Sequence, residues 1–417
     1  MSAELSSLNP PPQPIAREVE VIGLVGYAHG TSHFFHLLLP PLFPWLMPEF
    51  GLSFTQAGLL MTVFFVVSGS GQAVGGFAVD RFGALRVLQG GMLCFILAAL
   101  LLAVATGPAG LVAAAALAGL GNSIFHPADF TLLNRRVSPH MLGHAFSTHG
   151  LMGYLGWAAA PLFHTFLAGH FGWRVSAAAA AIPAGLALLA LTLRRAQLHE
   201  GQLTDTATHA AAAPAVSTFA FMREPTVWLC FVFFLFITTA FGALQNYGQA
   251  VFHALYGLPL TAAAGALSGY LAAGAGGTLL GGFLSSRESG DRQQHERQIA
   301  WVLTFAALLA LVLASGKVGA GWVIPLAVGI GFCVGIAGPS RDLMVRHAAT
   351  SRFGQAAYGR VYGFVYSGLD IGLAAAPLLL GPLMDAGRFS AVLVAVAMLQ
   401  GVAILTALSV GRQVESA

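Results

Sequence analysis

Charge is what this chain has least of. Only 8% of its 417 residues are Asp, Glu, Lys or Arg, where a soluble domain carries roughly 25%. So few charges cannot coat a surface that faces water. Lipid is therefore the solvent for most of the chain, and the mean hydropathy of +0.76 agrees. Cysteine is scarce as well. Cys94, Cys230 and Cys333 stand singly in apolar runs, which excludes a disulfide framework and a thiolate zinc site. No block of basic residues occurs and the net charge is only +3, so no nucleic-acid partner is expected. The phosphate loop G-x-x-x-x-G-K-[ST] is missing, which argues against an ATP-driven pump. The polar, Pro-rich residues 1–20 lead into an apolar run too long for a signal-peptide core and without a small-x-small cleavage site. That run reads as a retained first membrane span.

What the chain does have is long apolar runs. A bilayer span takes about 20 mostly apolar residues. Twelve candidates lie near 21–47, 54–79, 86–105, 108–134, 141–168, 173–193, 225–256, 259–284, 298–315, 320–343, 358–384 and 389–410. Backbone polar groups in lipid must be satisfied within the segment, so each is a helix and the fold class is an all-α integral membrane protein. With both termini in the cytoplasm, sixteen of the nineteen Lys and Arg residues fall on the cytoplasmic side, Arg341 among them. Only Arg174, Lys317 and Arg388 fall on the far side. The positive-inside rule then orients the chain as a multi-pass protein of the cytoplasmic (inner) membrane with both termini inside. The expected organisation is a cytoplasmic tail (1–20), a six-helix bundle (21–195), a linker (196–223), a second six-helix bundle (224–411) and a short tail (412–417). The linker segment HEGQLTDTATHAAAAPAV is small and polar, without apolar period.

The two bundles repeat each other. A shift of 206 residues carries Thr55, Gly71, Gly75, Gly76, Phe77 and Arg81 onto Thr261, Gly277, Gly281, Gly282, Phe283 and Arg287. A shift of 216 carries residues 143–162 onto 359–378, so that Gly143, Gly156 and both AAAPL endings coincide. Duplicated halves with a cavity between them are a transporter architecture. The Gly-x-x-x-Gly pairs 71/75 and 277/281 allow close helix contact in each half.

Ionisable residues inside spans are costly and point to function. Asp370 lies about twelve residues, roughly 18 Å, into span eleven, near the midplane. It reads either as a proton carrier or as a carboxylate paired to lock two helices. The stretch HGTSHFFH puts His29, His33 and His36 on one helical face. These imidazoles could pack, could face a cavity and bind substrate or pass protons, or could bind metal. For metal, no acidic or Cys partner stands nearby in sequence and no second His box follows, so no metal and no cofactor are expected. In span four, His126 and Asp129 share a face beside Pro127, as a substrate or proton site or as an internal pair, with Asp129 answering Arg135 or Arg136. In span seven, Gln245, Asn246 and Gln249 could bond substrate or neighbouring helices. His144, His149 and Tyr154 in span five, and Tyr247, Tyr270 and Tyr362, are further polar candidates.

The stretch GGFAVDRFGALR (75–86), between spans two and three, resembles the cytoplasmic signature loop of the major facilitator superfamily. The match uses Gly76, Asp80, Arg81, Gly83 and Arg86. The usual basic pair after the second glycine is absent, with Ala84 and Leu85 there instead. The second-half copy keeps Gly282 and Arg287 but has Ser286 in place of the acid. In that family the loop latches the cytoplasmic side, which implies a gating role for these residues and two pseudo-symmetric six-helix bundles for the fold. His29, EFGLSFTQAGLL (49–60), SIFHPAD (123–129) and MGYLGWAAAP (152–161) resemble its fosmidomycin-resistance-type branch. Two departures stand out. Ser32 and His33 occupy the place of an Asn-Asp pair, and Ala160 stands where a Gly precedes the fifth-span Pro.

The function expected is secondary transport and not enzymatic: proton-coupled efflux of a small drug-like or anionic compound by alternating access. Asp370 and His33 would couple protons. His29, His33, His126, Gln245 and Asn246 would bind substrate. Proton-symport uptake of a small carboxylate, or a His-metal membrane enzyme, are the alternatives. The partners expected are the substrate, protons and the lipid bilayer, with the chain acting as a monomer.

Overall fold

The computed structural model describes residues 15–198, 220–287, 294–353 and 358–415. Most of the expected N-terminal tail, most of the linker and the last two residues lie outside these. All regular structure among the described residues is helical: α1 (Ile15–His36), α2 (Phe43–Phe50), α3 (Phe54–Phe82), α4 (Ala84–Ala103), α5 (Pro108–Asn122), α6 (Phe125–Arg136), α7 (Leu142–Phe171), α8 (Trp173–Ala179), α9 (Ala181–Leu193), α10 (Arg195–Leu198), α11 (Pro225–Tyr256), α12 (Leu260–Arg287), α13 (Gln294–Ala314), α14 (Val323–Phe353), α15 (Tyr358–Asp385) and α16 (Phe389–Glu415). These make twelve passes, because α1–α2, α5–α6 and α8–α9 each form one broken pass. Ten segments are long and apolar enough to cross a membrane by length and composition. The other two passes, α1–α2 and α7, carry the histidines that lower their hydropathy.

Local sequence explains the breaks and caps. The first pass, expected as one helix over 21–47, stops at His36 and resumes at Phe43 after a single 3-10 turn. Pro40 and Pro41 have no N–H to continue the ladder. The helix also begins earlier than expected, at Ile15, and α16 runs on to Glu415. Ser53 and Gln56 form a reciprocal capping box at the start of α3. Gly51 ends α2 at φ 63° and Gly83 turns α3 into α4 at φ 84°, conformations that favour glycine.

The repeat seen in sequence is a repeat in packing. Pass one packs on five and pass seven on eleven, two on four and eight on ten, three on six and nine on twelve. Glycines allow the closest approaches. A Cβ on Gly156 would stand 1.9 Å from the Gly30 carbonyl oxygen. Its counterpart by the 216-residue shift, Gly372, would meet the Leu235 carbonyl at 2.6 Å. Likewise Gly71 and Gly75 lie against Ser123 and Pro127, and Gly277 and Gly281 against the α14 backbone at Phe332 and Ile336.

The halves meet mainly along two helix pairs, α3 with α15 and α7 with α12. The end opposite the chain termini is sealed. There Asp385, closing α15, accepts hydrogen bonds from the Phe54 N–H (2.6 Å), the Thr55 N–H (3.1 Å) and the Thr55 hydroxyl (2.6 Å). A carboxylate on free N–H groups at a helix N-terminus is favoured by both hydrogen bonding and the helix dipole. Tyr247 donates to the Phe54 and Pro377 carbonyls, and Gln249 donates to Thr165. At the same end Glu49 accepts from the Trp173 indole and the Arg174 guanidinium. These bonds hold its carboxyl below the usual glutamate range.

Two outcomes follow. Asp385→Ala should weaken the seal by about 1.5 kcal/mol, roughly a tenfold shift toward opening. Labelling of a cysteine placed at Thr55, from the sealed side, should rise accordingly; unchanged labelling would deny Asp385 this role. The Glu49 tie contributes stability above the ordinary glutamate value of 4.5, and that contribution is lost as pH falls through the lowered value. Melting temperatures followed from pH 7 downward should show this acid step in the parent chain and not in Glu49→Gln.

Candidate functional site

A cavity of about 170 Å³ lies between the halves. His33 and His36 reach it from α1, Gln72 from α3, Asn122 from α5, His126 from α6, and Tyr154 and Trp157 from α7. The second half supplies Phe233, Ile237, Thr238 and Phe241 from α11, Arg341 from α14, and Leu369 and Asp370 from α15. Of the sequence candidates, His33, His126 and Asp370 are brought together here.

Asp370 is half-buried, and among the described residues no hydrogen bond or ion pair holds it. The locked-pair reading of this carboxylate therefore has no partner. It is placed against α3 at Gly69, where an added Cβ would be 3.3 Å from the Asp370 Cβ. Tyr154 is its counterpart under the 216-residue shift and packs in the same way on Gly274 of α12. One position of the repeat thus presents a carboxylate from one half and a phenol from the other.

Arg341 corrects an expectation. Its charge was assigned to the cytoplasmic face, but it lies inside the tenth pass and lines the cavity. Its Nε donates to Asp342 at 2.9 Å, Tyr366 donates to the same carboxylate oxygen, and its guanidinium lies over the Phe234 ring. Aligned on Pro127 and Pro339, Arg341 is the second-half counterpart of Asp129.

Behind the histidine wall lies a second cluster. Asp129, fully buried, meets His29 Nδ1 at 3.2 Å and His149 Nε2 at 3.0 Å, both through its Oδ2. Its Oδ1 has no hydrogen-bond partner. The expectation that Asp129 answers Arg135 or Arg136, or pairs with His126, is thereby replaced. His126 instead bonds Gln72, with its Nδ1–H donating to Oε1 at 2.9 Å. The rings of His29 and His149 stack at 3.4 Å, and His33 stands 4.3 Å from His29. His29 thus has the acidic partner that its neighbours in sequence do not supply. The donor atoms of His29, Asp129 and His149 all lie within 4.8 Å of one another, close enough to meet one metal ion.

His36 lines the cavity and is held at both ring nitrogens. Its Nε2 bonds Asn122 Oδ1 at 2.9 Å, and its Nδ1 accepts the Trp157 indole N–H at 3.2 Å. An indole can only donate, so His36 Nδ1 carries a lone pair and the ring is neutral. Asn122 also accepts from Ser32 and donates to Ser68. It thereby joins α1, α3 and α5 through one buried amide. Asn122 and Trp157 escaped sequence reasoning because a lone amide and a lone indole carry no spacing signal.

Gln245 and Asn246 do not join the cavity. Asn246 donates back to Gly242 and lies with Pro40, Phe43 and His253 near the seal, and the buried Gln245 amide has no partner. Tyr247 belongs to the seal, Tyr270 is buried, and the Tyr362 side chain lies outside the described residues. Asp80, Arg81 and Arg86 are exposed at the end carrying the chain termini, and Gly76 has open space around it.

Two repeated six-pass bundles with a cavity between them define a membrane carrier. The family model of the Major Facilitator Superfamily matches residues 27–377, and the chain belongs to that superfamily. It is similar to the fosmidomycin resistance protein of Escherichia coli K12, at 32% identity over 168 residues, 39% of this chain and 41% of that protein. It is also similar to the multidrug resistance protein B homolog of Mycobacterium tuberculosis, at 31% identity over 126 residues, 30% of this chain and 23% of that protein. The matches thus span well under two thirds of these relatives. In fold it is similar to a bacterial homologue of the human lysosomal transporter Spinster, solved inward-facing and unoccupied. That likeness has a TM-score of 0.79 and 14% identity, and covers 97% of this chain and 99% of that one.

Asn122→Ala should strand Ser32 and His36 and cost about 1–2 kcal/mol. A lowered melting temperature in detergent checks this; a melting temperature equal to the parent's would remove Asn122 from its role as a hub.

Proposed function

We propose that this chain exports a small anionic or drug-like compound in exchange for protons, by rocking of its two halves about the central cavity. The observation that carries the reading is the unpartnered Asp370 carboxylate in one cavity with Arg341, His33 and His126. Arg341 offers a fixed positive charge and a planar donor face for an anionic or planar cargo. His33 and His126 add adaptable donors and acceptors. Asp370 supplies a proton-binding group in a low-dielectric wall, where a bare carboxylate is costly and neutralisation is favoured.

The cycle has a simple order. With the far end sealed by Asp385, cargo enters from the cytoplasm and binds at Arg341 and the imidazoles while Asp370 gives up its proton to the cytoplasm. The halves then rock, the far end opens, cargo leaves, and Asp370 takes a proton from outside. In the outward-open state Gly76, Asp80, Arg81, Gly83 and Arg86 form the opposite latch. The chain lies in the cytoplasmic membrane as a monomer with both termini inside, as the distribution of arginine supports.

Purified protein in vesicles holding an internal pH dye tests this. The panel comprises fosmidomycin, a cationic dye and a small aromatic carboxylate. At least one compound should drive proton movement opposite to its own, and Asp370→Asn should reduce it by tenfold or more. Movement of cargo and proton in the same direction would establish uptake instead. An Asp370→Asn signal equal to the parent's would remove Asp370 from coupling.

A further inference from the structure

The cycle above uses Asp370 and leaves a buried carboxylate in the other half without a task. Asp129 is fully buried in α6, within a bundle whose surroundings are hydrocarbon. Among the described residues, the titratable groups that bear on it are three histidines. His29 comes from α1, His149 from α7, and His126 stands on its own helix. On α3, Gln72 is neutral and bonds His126. Among the described residues no lysine or arginine pairs with it.

Charge counting then decides what the cluster holds. An ionised Asp129 between two neutral imidazoles leaves one uncompensated negative charge in a medium that penalises it heavily. One added proton makes the three side chains neutral together. A divalent metal in the same place, with this single carboxylate, would leave one positive charge uncompensated. The proton is therefore the better occupant of this donor set.

The cluster also has a way out. His29 uses Nδ1 on Asp129, so its Nε2 is the nitrogen left over. That Nε2 and the Nδ1 of His33 converge on Gly153. A Cβ built there would stand 3.2 Å from His29 Nε2 and 2.6 Å from His33 Nδ1. The His33 Nδ1 is buried and has no hydrogen-bond partner, while the His33 ring lines the cavity. A side chain at position 153 would crowd both nitrogens, and glycine leaves that space open.

We propose that His29, Asp129 and His149 hold one shared, exchangeable proton, and that His33 passes it to and from the central cavity. This gives the carrier a second proton site in the half opposite Asp370, and it rests on the proton-coupled reading above. In the transfer, the His29 Nε2–H bond breaks and leaves its electron pair on that nitrogen. The proton bonds to the His33 Nδ1 lone pair, and His33 releases a proton from its Nε2 into the cavity.

The test is independent of any cargo. The full-length chain, with ¹⁵N-labelled histidine and in lipid bilayers, is followed by solid-state nitrogen NMR between pH 6.5 and 9. A solvated imidazole has a pKa of about 6.5 and is neutral at the upper end of this range. One imidazolium signal should persist at pH 8.5 in the parent chain and in Asp370→Asn, and should vanish in Asp129→Asn. His149→Gln, which keeps a hydrogen-bond donor, should also lose it and serves if Asp129→Asn does not fold. Gly153→Ala should keep the signal but slow its exchange with water several-fold. Absence of the signal in the parent chain overturns the proposal, as does its survival in both Asp129→Asn and His149→Gln. Stoichiometric bound zinc or another transition metal, lost with Asp129, would also overturn it by making the occupant a metal. Because this readout needs no transport, a vesicle experiment without proton movement would refute coupling at Asp370 while leaving the persistent imidazolium to be judged separately.

Discussion

In a hydrocarbon layer a polar group has no water to fall back on, and the architecture of this carrier follows from that constraint. The backbone meets it by becoming helix, and the side chains meet it by turning inward and joining. In the first half the result is a connected interior: Ser68, Asn122, Ser32, His36 and Trp157 form one hydrogen-bonded run. Asp129, His29 and His149 form another beside it. These groups can reach one another only because α1 and α7 cross with Gly30 against Gly156. A side chain at either crossing point would separate the helices that carry the imidazoles.

Duplication supplies the frame, and divergence at matched positions supplies the chemistry. The helix pairings are the same in both halves, yet equivalent positions hold different groups. Tyr154 answers Asp370, each beside a glycine of the opposite half. Asp129 answers Arg341 beside matched prolines. The first half keeps its charge buried among imidazoles, whereas the second presents its charges to the cavity. A symmetric scaffold thus gives an asymmetric cavity.

Much of the fold was legible because its signals are local. Twelve apolar runs, the arginine distribution and the repeated glycines all lie within stretches of about twenty residues. The site was legible only in part. Asp370, His33 and His126 announced themselves as ionisable residues inside apolar runs. The His29–Asp129 contact joins residues 100 positions apart, and no neighbour of His29 in sequence hints at an acid. Arg341 looked like a charge of the cytoplasmic face because it falls in the last turn of its apolar run, 320–343, and the run does not say which way that turn faces. Gln245 and Asn246 lie off the central cavity, and polarity alone does not say which way a helix face turns. The break in the first pass was written in Pro40 and Pro41, but an apolar run overrode it in a reading by hydropathy.

The antiparallel pair α3 and α15 shows how a single seal can be reversible. Each helix ends in acid near its C-terminus, Asp80 on α3 and Asp385 on α15, so each acid lies toward the end where the other helix begins. In this structure Asp385 occupies the N-terminus of α3 through three hydrogen bonds, and Asp80 is exposed. Between the two ends lies the contact of Gly69 with Asp370. In the proposed cycle, rotation about that glycine contact would open one end as it closed the other, because one rigid pair cannot hold both ends together while a cavity separates the halves. In that proposed cycle, comparable latches at the two ends would keep either state from becoming a trap, since a ligand shifts such an equilibrium only by its differential affinity for the two states. The cavity carboxylate lies at this contact, and in the proposed cycle that is the place from which one protonation event would bias which end is sealed.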